Sequence, residues 1–380
     1  MSVVVVGASA GGLTVAEALR GRGYTGRIQL VGQEHHLPYD RPPLSKQILT
    51  GAWPAERTLL RQREQLDGLD MDLLLGRRAV QLDAAVREVS LDDGRRLPYE
   101  HLVIATGLTP RRLPAQPDLP GLHTFRTLDD ALALRRDLTA ARRLAVVGAG
   151  VLGCEIAAAA RTLGVSVTLL DPAPTPMATQ LGGELGGVIA ALHRAHDVDL
   201  RTDTPVAGLF ETGGKAGGVK LADGQRVAAD VVVVAAGSVP ATGWLTGSGL
   251  TLDDGIVCDV HCAAAPGVYA VGDVARLPGG RVESRTSAAE QALTVAANIL
   301  GDRRAHSSIP YFWTDQYDVK LQIHGTIRPR SRIRWIDGIP GDQRFAALAV
   351  TDGVITAVVG WNHPRAVLRA RRQIGEPCRG

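Results

Sequence analysis

Residues 5–23, VVGASAGGLTVAEALRGRG, and residues 146–164, VVGAGVLGCEIAAAARTLG, are two copies of one pattern at a constant offset of 141. Each copy opens on a β-branched strand, passes through a glycine loop, and runs into an Ala-rich helix that ends at glycine. A second strand follows each, RIQLVG at 27–32 and SVTLLD at 166–171, with an acid near its end, Glu34 or Asp171. This is the β-α-β dinucleotide fingerprint written twice. The glycines permit a tight turn and let backbone N–H groups approach a pyrophosphate. The helix N-terminus favours the anion, and the acid receives ribose hydroxyls. One such motif is weak evidence; two, each in strand–loop–helix–strand context, predict two dinucleotide sites.

The copies differ in one place. The second loop has Gly148, Gly150 and Gly153, whereas the first has Gly7 and Gly12 with Ser9 in the middle. After Asp171 comes PAPTPMAT, without an arginine to receive a 2′-phosphate, and a carboxylate there repels that phosphate. The second site is therefore expected to take NADH rather than NADPH.

Further segments close the two units. HLVIATG at 101–107 and DVVVVAAG at 230–237 are strands ending in small residues, and GVYAVGDVA at 267–275 sets Asp273 at the end of a buried strand. Residues 213–230, with turn residues between alternating strands, predict a β-meander. ESRTSAAEQALTVAANIL reads as a helix opened by a capping box from Ser287 to Glu290. In PYDRPPLSK, residues 38–46, the paired prolines Pro42 and Pro43 are expected to forbid regular structure. That stretch has no cysteine, and Lys46 is one of four lysines among 42 basic residues.

Composition sets the outer limits. A chain of 380 residues with 45% hydrophobic content builds more than one core. A net charge of +3 supplies no global field for nucleic acid or membrane, although residues 304–380 carry 12 Lys and Arg against 6 Asp and Glu. Cys154, Cys258, Cys262 and Cys378 have no CxxC spacing, so structural thiols and no metal site are expected. The opening MSVVVVGAS lacks a basic n-region and reads as a buried strand, not a signal peptide. The longest nearly apolar run, 144–156, contains Glu155 and is too short to span a bilayer. A cytoplasmic, reduced protein is expected.

Together, VVVGASAGG, PYDRPPLSK, ATG, GAGVLGCE, AVGD, AAEQA and the C-terminal PYFWTDQYDVKLQIHG resemble the FAD-containing, NADH-dependent ferredoxin reductases of bacterial oxygenase systems, the putidaredoxin reductase, rubredoxin reductase and dioxygenase reductase group. The resemblance covers nearly the whole chain. It implies an α/β fold with two Rossmann-like nucleotide-binding domains, of the glutathione-reductase-like flavoprotein kind, plus a small α+β C-terminal domain. The implied parts are an FAD domain at 1–113 and 234–303, an NAD domain at 114–233, and an interface domain at 304–380.

Carried over by position, the resemblance implies FAD contacts at Gly7, Ser9, Gly12, Glu34, Arg41, Lys46, Val80, Ala105, Thr106, Gly107, Arg126, Gly272, Asp273 and Arg285. It implies NAD contacts at Gly148, Gly150, Gly153, Glu155, Asp171 and Gly237. It also implies that Lys46 and Glu155 form an ion pair beside the flavin ring and that Trp313 approaches its nicotinamide side. The family often has an aromatic residue where Arg285 stands. The implied activity is hydride transfer from NADH to FAD, then single-electron delivery to an acidic [2Fe-2S] or similar ferredoxin serving a cytochrome P450 or oxygenase, by a monomer or homodimer. Two other readings stay open: an NADH-dependent flavoenzyme acting on a small-molecule acceptor in a biosynthetic pathway, and a redox-gated flavoprotein binding or signalling module.

Overall fold

The valine run Ser2–Val6 is buried along nearly its whole length, as a strand covered on both faces must be. It pairs in parallel with Arg27–Gly32, Val3 beside Ile28, and with His101–Ile104, Val4 beside Leu102. The computed structural model describes residues 2–378. The chain falls into two compact units: Met1–Asp40, Glu56–Thr109 and Val239–Pro310 form one, and Arg41–Ala55, Pro110–Ser238 and Tyr311–Gly380 form the other.

In the first unit a six-stranded sheet runs Ala263–Ala265, Val268–Ala270, His101–Ile104, Ser2–Val6, Arg27–Gly32, Asp72–Leu75, parallel except for its first pair. Helices Ala10–Gly21 and Arg285–Ile299 pack against each other on one face. Leu13, Ala16, Leu19, Ala292 and Val295 fill the core there.

The second unit repeats the plan. Its parallel sheet runs Asp199–Arg201, Ser166–Leu170, Arg143–Val147, Val231–Val234, Leu122–Thr124. Third, second, first and closing strands lie in the same spatial order in both units, so the duplicated sequence is a duplicated topology. The expected meander begins upstream of 213, with Val206–Thr212 joined to Lys215–Leu221 through Gly213 and Gly214 at φ +60° and +76°. The first unit holds a matching meander, Ala79–Asp83, Glu88–Leu91 and Arg96–Pro98.

Within the second unit, the C-terminal residues build an antiparallel sheet ordered Tyr311–Gln316, Val319–Gly325, Val354–Trp361, Phe345–Thr351, Arg332–Asp337. Helix Pro364–Ala370 buries Ala366, Val367 and Ala370 against it.

Two local expectations need correction. The helix expected to be capped by Ser287 begins at Arg285, and Ser284 is its N-cap, accepting from the Ser287 N–H at 3.5 Å. Ser287 lies inside the first turn, where its hydroxyl accepts from Gln291 Nε2 at 3.0 Å. The prolines of 38–46 do not abolish regular structure either. They open a wide helical turn, Leu44–Ile48, in which the Pro43 carbonyl accepts from the Ile48 N–H at 3.0 Å. Proline lacks a donor but keeps its acceptor, so it starts a helix at little cost.

Candidate cofactor sites and the Lys46–Glu155 pair

The glycine loops are defined by what a side chain would strike. In the first unit, a Cβ on Gly7 would lie 2.2 Å from the Ala105 carbonyl oxygen, and one on Gly12 would lie 2.0 Å from that of Gly7. In the second, Gly148 and Gly153 meet the Ala235 and Gly148 oxygens at 2.3 and 1.9 Å. The outer glycines of both motifs are therefore demanded by backbone packed on backbone. The middle position is different: Gly150 has nothing within 4 Å of an added Cβ, and both Gly150 and Ser9 are extended N-cap residues. Ser9 consequently costs the fold nothing. No side chain caps either helix, so the first-turn N–H groups face the loop, as a pyrophosphate site requires. The residues present fit two dinucleotides.

The two acids are held differently. Glu34 Oε2 accepts from the Tyr39 hydroxyl at 2.6 Å. Asp171 braces its own loop, accepting from the Ala149 N–H at 2.5 Å through Oδ2 and from the Ala173 N–H at 2.8 Å through Oδ1. Each Asp171 oxygen keeps a further lone pair for a hydroxyl.

The remaining first-unit residues sit at strand ends or helix starts. The Ala105 N–H bonds the Val6 carbonyl at 2.7 Å, Thr106 Oγ1 donates to the Ala241 carbonyl at 3.0 Å, and Gly107 holds φ +67°. Gly272 takes φ +76° and donates its N–H to Gln291 Oε1 at 2.7 Å, which fixes the short turn Gly272–Val274 containing Asp273. Arg285 Nε donates to Asp40 Oδ1 at 2.7 Å. Val80 lies on the meander and is 40% exposed. In the second unit, Arg41 Nη1 donates to the Arg126 carbonyl at 2.7 Å, just before the helix capped by Thr127. The Gly237 carbonyl, at a residue of φ +86°, accepts from the Arg111 N–H at 2.9 Å.

Lys46 and Glu155 come together within the second unit. Lys46 projects from the turn Leu44–Ile48 and Glu155 from helix Val151–Thr162, one turn beyond its glycine loop. Lys46 Nζ lies 2.8 Å from Glu155 Oε2 and donates to the Pro42 carbonyl at 2.9 Å, with the side chains 11% and 6% exposed. Ser45 Oγ donates to the same carboxylate oxygen at 2.5 Å, and Thr314 Oγ1 donates to the other at 2.8 Å. The neighbouring thiol of Cys154 is buried, and desolvation, then the Glu155 charge, pushes its pKa far up, so it stays protonated.

Strand Tyr311–Gln316 alternates faces. Thr314 and Gln316 point into the buried side with Glu155, so Trp313 is on the opposite face, stacked on Tyr311 at 5.7 Å. Trp313 therefore shares an element with the Glu155 contact without touching Glu155 itself. Sequence reading missed Ser45, Thr314 and Gln316. The available signal was their position, Ser45 next to Lys46 and the two others alternating with Trp313.

The basic C-terminal segments are exposed. Arg328, Arg330, Arg332 and Arg334 lie on and before Arg332–Asp337, and Arg365, Arg369, Arg371 and Arg372 on and after the last helix. Arg332–Asp337 and the Trp313 strand are opposite edges of one five-stranded sheet, four spacings or roughly 19 Å apart.

Two dinucleotide folds of one design, joined to an antiparallel C-terminal sheet, define a flavoprotein reductase. Residues 1–292 match the family described as pyridine nucleotide-disulphide oxidoreductase, and residues 311–378 match the family described as reductase C-terminal. The chain belongs to the pyridine nucleotide-disulphide oxidoreductase family, and it is an FAD- and NADH-dependent oxidoreductase. It is 37% identical to rhodocoxin reductase of Rhodococcus erythropolis over 98% of this chain and 89% of that one. It is 35% identical to the ferredoxin–NAD(+) reductase component of the p-cumate 2,3-dioxygenase system of Pseudomonas putida, over 98% and 92%. Among solved structures it is similar to the covalent putidaredoxin reductase–putidaredoxin complex, with a TM-score of 0.94, 34% identity, and coverage of 99% of this chain and 93% of that one.

Proposed function

We propose that this enzyme takes electrons from NADH and delivers them singly to an acidic [2Fe-2S] or similar ferredoxin that serves a cytochrome P450 or oxygenase. FAD, when bound, supplies the chemistry: it accepts a hydride and releases electrons one at a time. The observation that carries the reading is the buried Lys46–Glu155 pair in a chain with no cysteine in 38–46. A lysine there presents a fixed N–H donor, and no disulfide competes for the electrons. The reductase components among the relatives support the same acceptor class.

In this reading residues 1–113 and 234–303 bind FAD, 114–233 bind NADH, and 304–380 meet the ferredoxin. Gly7, Ser9 and Gly12 cradle the FAD pyrophosphate and Glu34 receives its ribose. Asp273 holds the ribityl or pyrophosphate arm, and Arg41, Val80, Ala105, Thr106, Gly107, Arg126, Gly272 and Arg285 line the remainder. The N-terminus of helix Arg285–Ile299, with no acid in its first turn, favours the charge left by reduction. Gly148, Gly150, Gly153 and Gly237 admit NADH, Asp171 receives its ribose, and Trp313 borders the nicotinamide. Lys46, oriented by Glu155, donates to the flavin ring. Among the described residues no helix is long and apolar enough to cross a membrane. We read the enzyme as cytoplasmic, a monomer or homodimer.

NADH-driven ferricyanide reduction tests the first half, and ferredoxin-dependent cytochrome c reduction tests the second. Activity in the first assay with none in the second, across acidic ferredoxins, overturns the acceptor assignment in favour of a small molecule.

A further inference from the structure

An ionised carboxylate accepts hydrogen bonds and never donates them, and at Glu155 that constraint orders every bond behind it. Thr314 Oγ1, 1% exposed, lies 2.8 Å from Glu155 Oε1, so its proton points at the carboxylate. The threonine oxygen is then an acceptor, and Gln316 presents its amide nitrogen to it at 3.2 Å, with Met177 Sδ 3.7 Å from the same nitrogen. Gln316 Oε1 is left facing His193 Nε2 at 3.0 Å, which places the ring proton on Nε2. Nδ1 is then a lone pair, and the Tyr317 hydroxyl, 3.1 Å away, donates to it. From Tyr317 inward every donor points toward Glu155.

Packing alone does not call for these groups. Gln316 and His193 are 2% and 0% exposed, where apolar side chains would avoid the desolvation of an amide and an imidazole. Burial pushes the His193 pKa down to about 4, with the neighbouring His196 a lesser contribution, so the ring is neutral and has one defined tautomer. Tyr317 sits at φ +55°, a costly region for a tyrosine, with its ring stacked on His196 at 3.6 Å. The hydroxyl bond and the stack hold it there.

We propose that His193 and Gln316 are positioning residues: the donor chain Tyr317–His193–Gln316–Thr314 locks the Glu155 carboxylate in the orientation that holds Lys46 for flavin reduction. The proposal rests on the role given to Lys46 above. Without the His193 N–H, Gln316 Oε1 loses its buried donor and the amide is no longer held against Thr314. The Thr314 oxygen then loses the donor behind it, and its bond to Glu155 Oε1 is no longer fixed in direction. The carboxylate is then held firmly only through the oxygen shared by Ser45 and Lys46, and Lys46 loses its fixed direction.

The test combines ¹⁵N NMR of histidine-labelled oxidised holoprotein with stopped-flow flavin reduction at saturating NADH. His193 is expected to show the neutral Nε2–H tautomer, and Thr314→Val to disturb that signature from two bonds away. His193→Leu and Thr314→Val should each slow flavin reduction by about tenfold, the loss of one charge-assisted hydrogen bond. The double variant should be no slower than either single one, because both break one chain. His193→Gln, whose amide can replace the Nε2 donor, and Thr314→Ser should stay within about twofold of wild type. An Nδ1–H tautomer, a wild-type rate in His193→Leu or Thr314→Val, or losses that multiply in the double variant would overturn the proposal. Should His193→Leu not fold, the Thr314→Val and Thr314→Ser pair with the tautomer measurement decides. Lys46→Met separates the two layers: a wild-type rate there sinks the role of Lys46 itself. A slowed Lys46→Met beside an unaffected Thr314→Val sinks only the donor chain.

Discussion

Lys46 Nζ lies 2.8 Å from Glu155 Oε2, and both side chains are almost wholly withdrawn from water. The two residues are far apart in sequence yet share one compact unit, because the turn Leu44–Ile48 packs on helix Val151–Thr162. Two charges so placed persist only when each is satisfied. The Pro42 carbonyl on the lysine, and Ser45 and Thr314 on the carboxylate, do that.

Removing one partner strands the other. Lys46→Ala leaves a buried carboxylate without its counter-charge and should destabilise the fold by about 3 kcal/mol. It should slow flavin reduction by NADH by at least about tenfold while FAD retention changes little. Stopped-flow absorbance and thermal melts of the holoprotein read the two effects separately, and an unaltered reduction rate removes Lys46 from the mechanism.

Asp171 predicts the nucleotide preference. Its oxygens, steadied by the Ala149 and Ala173 N–H groups, put a fixed negative charge at the end of strand Ser166–Leu170. NADH should exceed NADPH in kcat/KM by at least about tenfold, or ~1.4 kcal/mol. Parity between the two in steady-state assays would refute the argument.

The glycine loops predict a sharp contrast between neighbours. Gly153→Ala pushes a methyl to within 1.9 Å of the Gly148 carbonyl and should cost more than about 2 kcal/mol of stability along with NADH binding. Gly150→Ser meets no protein atom and copies Ser9 of the first loop, so its melting temperature should match wild type. Calorimetry on the two variants checks this; equal losses would show that the middle position is also structural.

Buried thiols set the alkaline limit. Desolvation pushes Cys258 and Cys262 up to about 12 from a usual 9.0. Above pH 9 the unfolded chain sheds these protons while the native state keeps them, so stability falls as pH rises toward 12. The slope is about 1.4 kcal/mol per pH unit for each thiol. Denaturant titrations at pH 8, 9.5 and 11 measure it, and Cys258→Ser or Cys262→Ser should flatten it. A curve indifferent to those substitutions would assign the alkaline loss elsewhere.

Salt should separate the two half-reactions. The exposed arginines of 328–334 lie on and before the edge strand roughly 19 Å across the sheet from the Trp313 strand, and those of 365–372 lie on and after the helix packed on that sheet, a placement for steering. Electron delivery to an acidic ferredoxin should slow severalfold between about 0.05 and 0.3 M salt, whereas flavin reduction should not. A salt-indifferent second half-reaction discards the steering role.

How much of this could be read along the chain follows from which interactions are local. The glycine spacing, the apolar strands and the trailing acid repeat within some thirty residues, so residues 5–34 and 146–171 announced two dinucleotide folds, and the two sheets share one strand order for that reason. Turn geometry was less legible. Pro42 and Pro43 looked like breakers, but the acceptor that proline retains lets it open a helical turn, and the serine one turn before the expected cap proved to be the cap. Lys46 and Glu155 could be paired only through likeness to a family, since contact between them depends on how a loop docks on a helix. Beyond them, the order from Tyr317 through His193, Gln316 and Thr314 to Glu155 has no sequence signature. Hydrogen-bond polarity passes between residues brought together from two helices, a strand and a turn, and only the folded chain makes them neighbours.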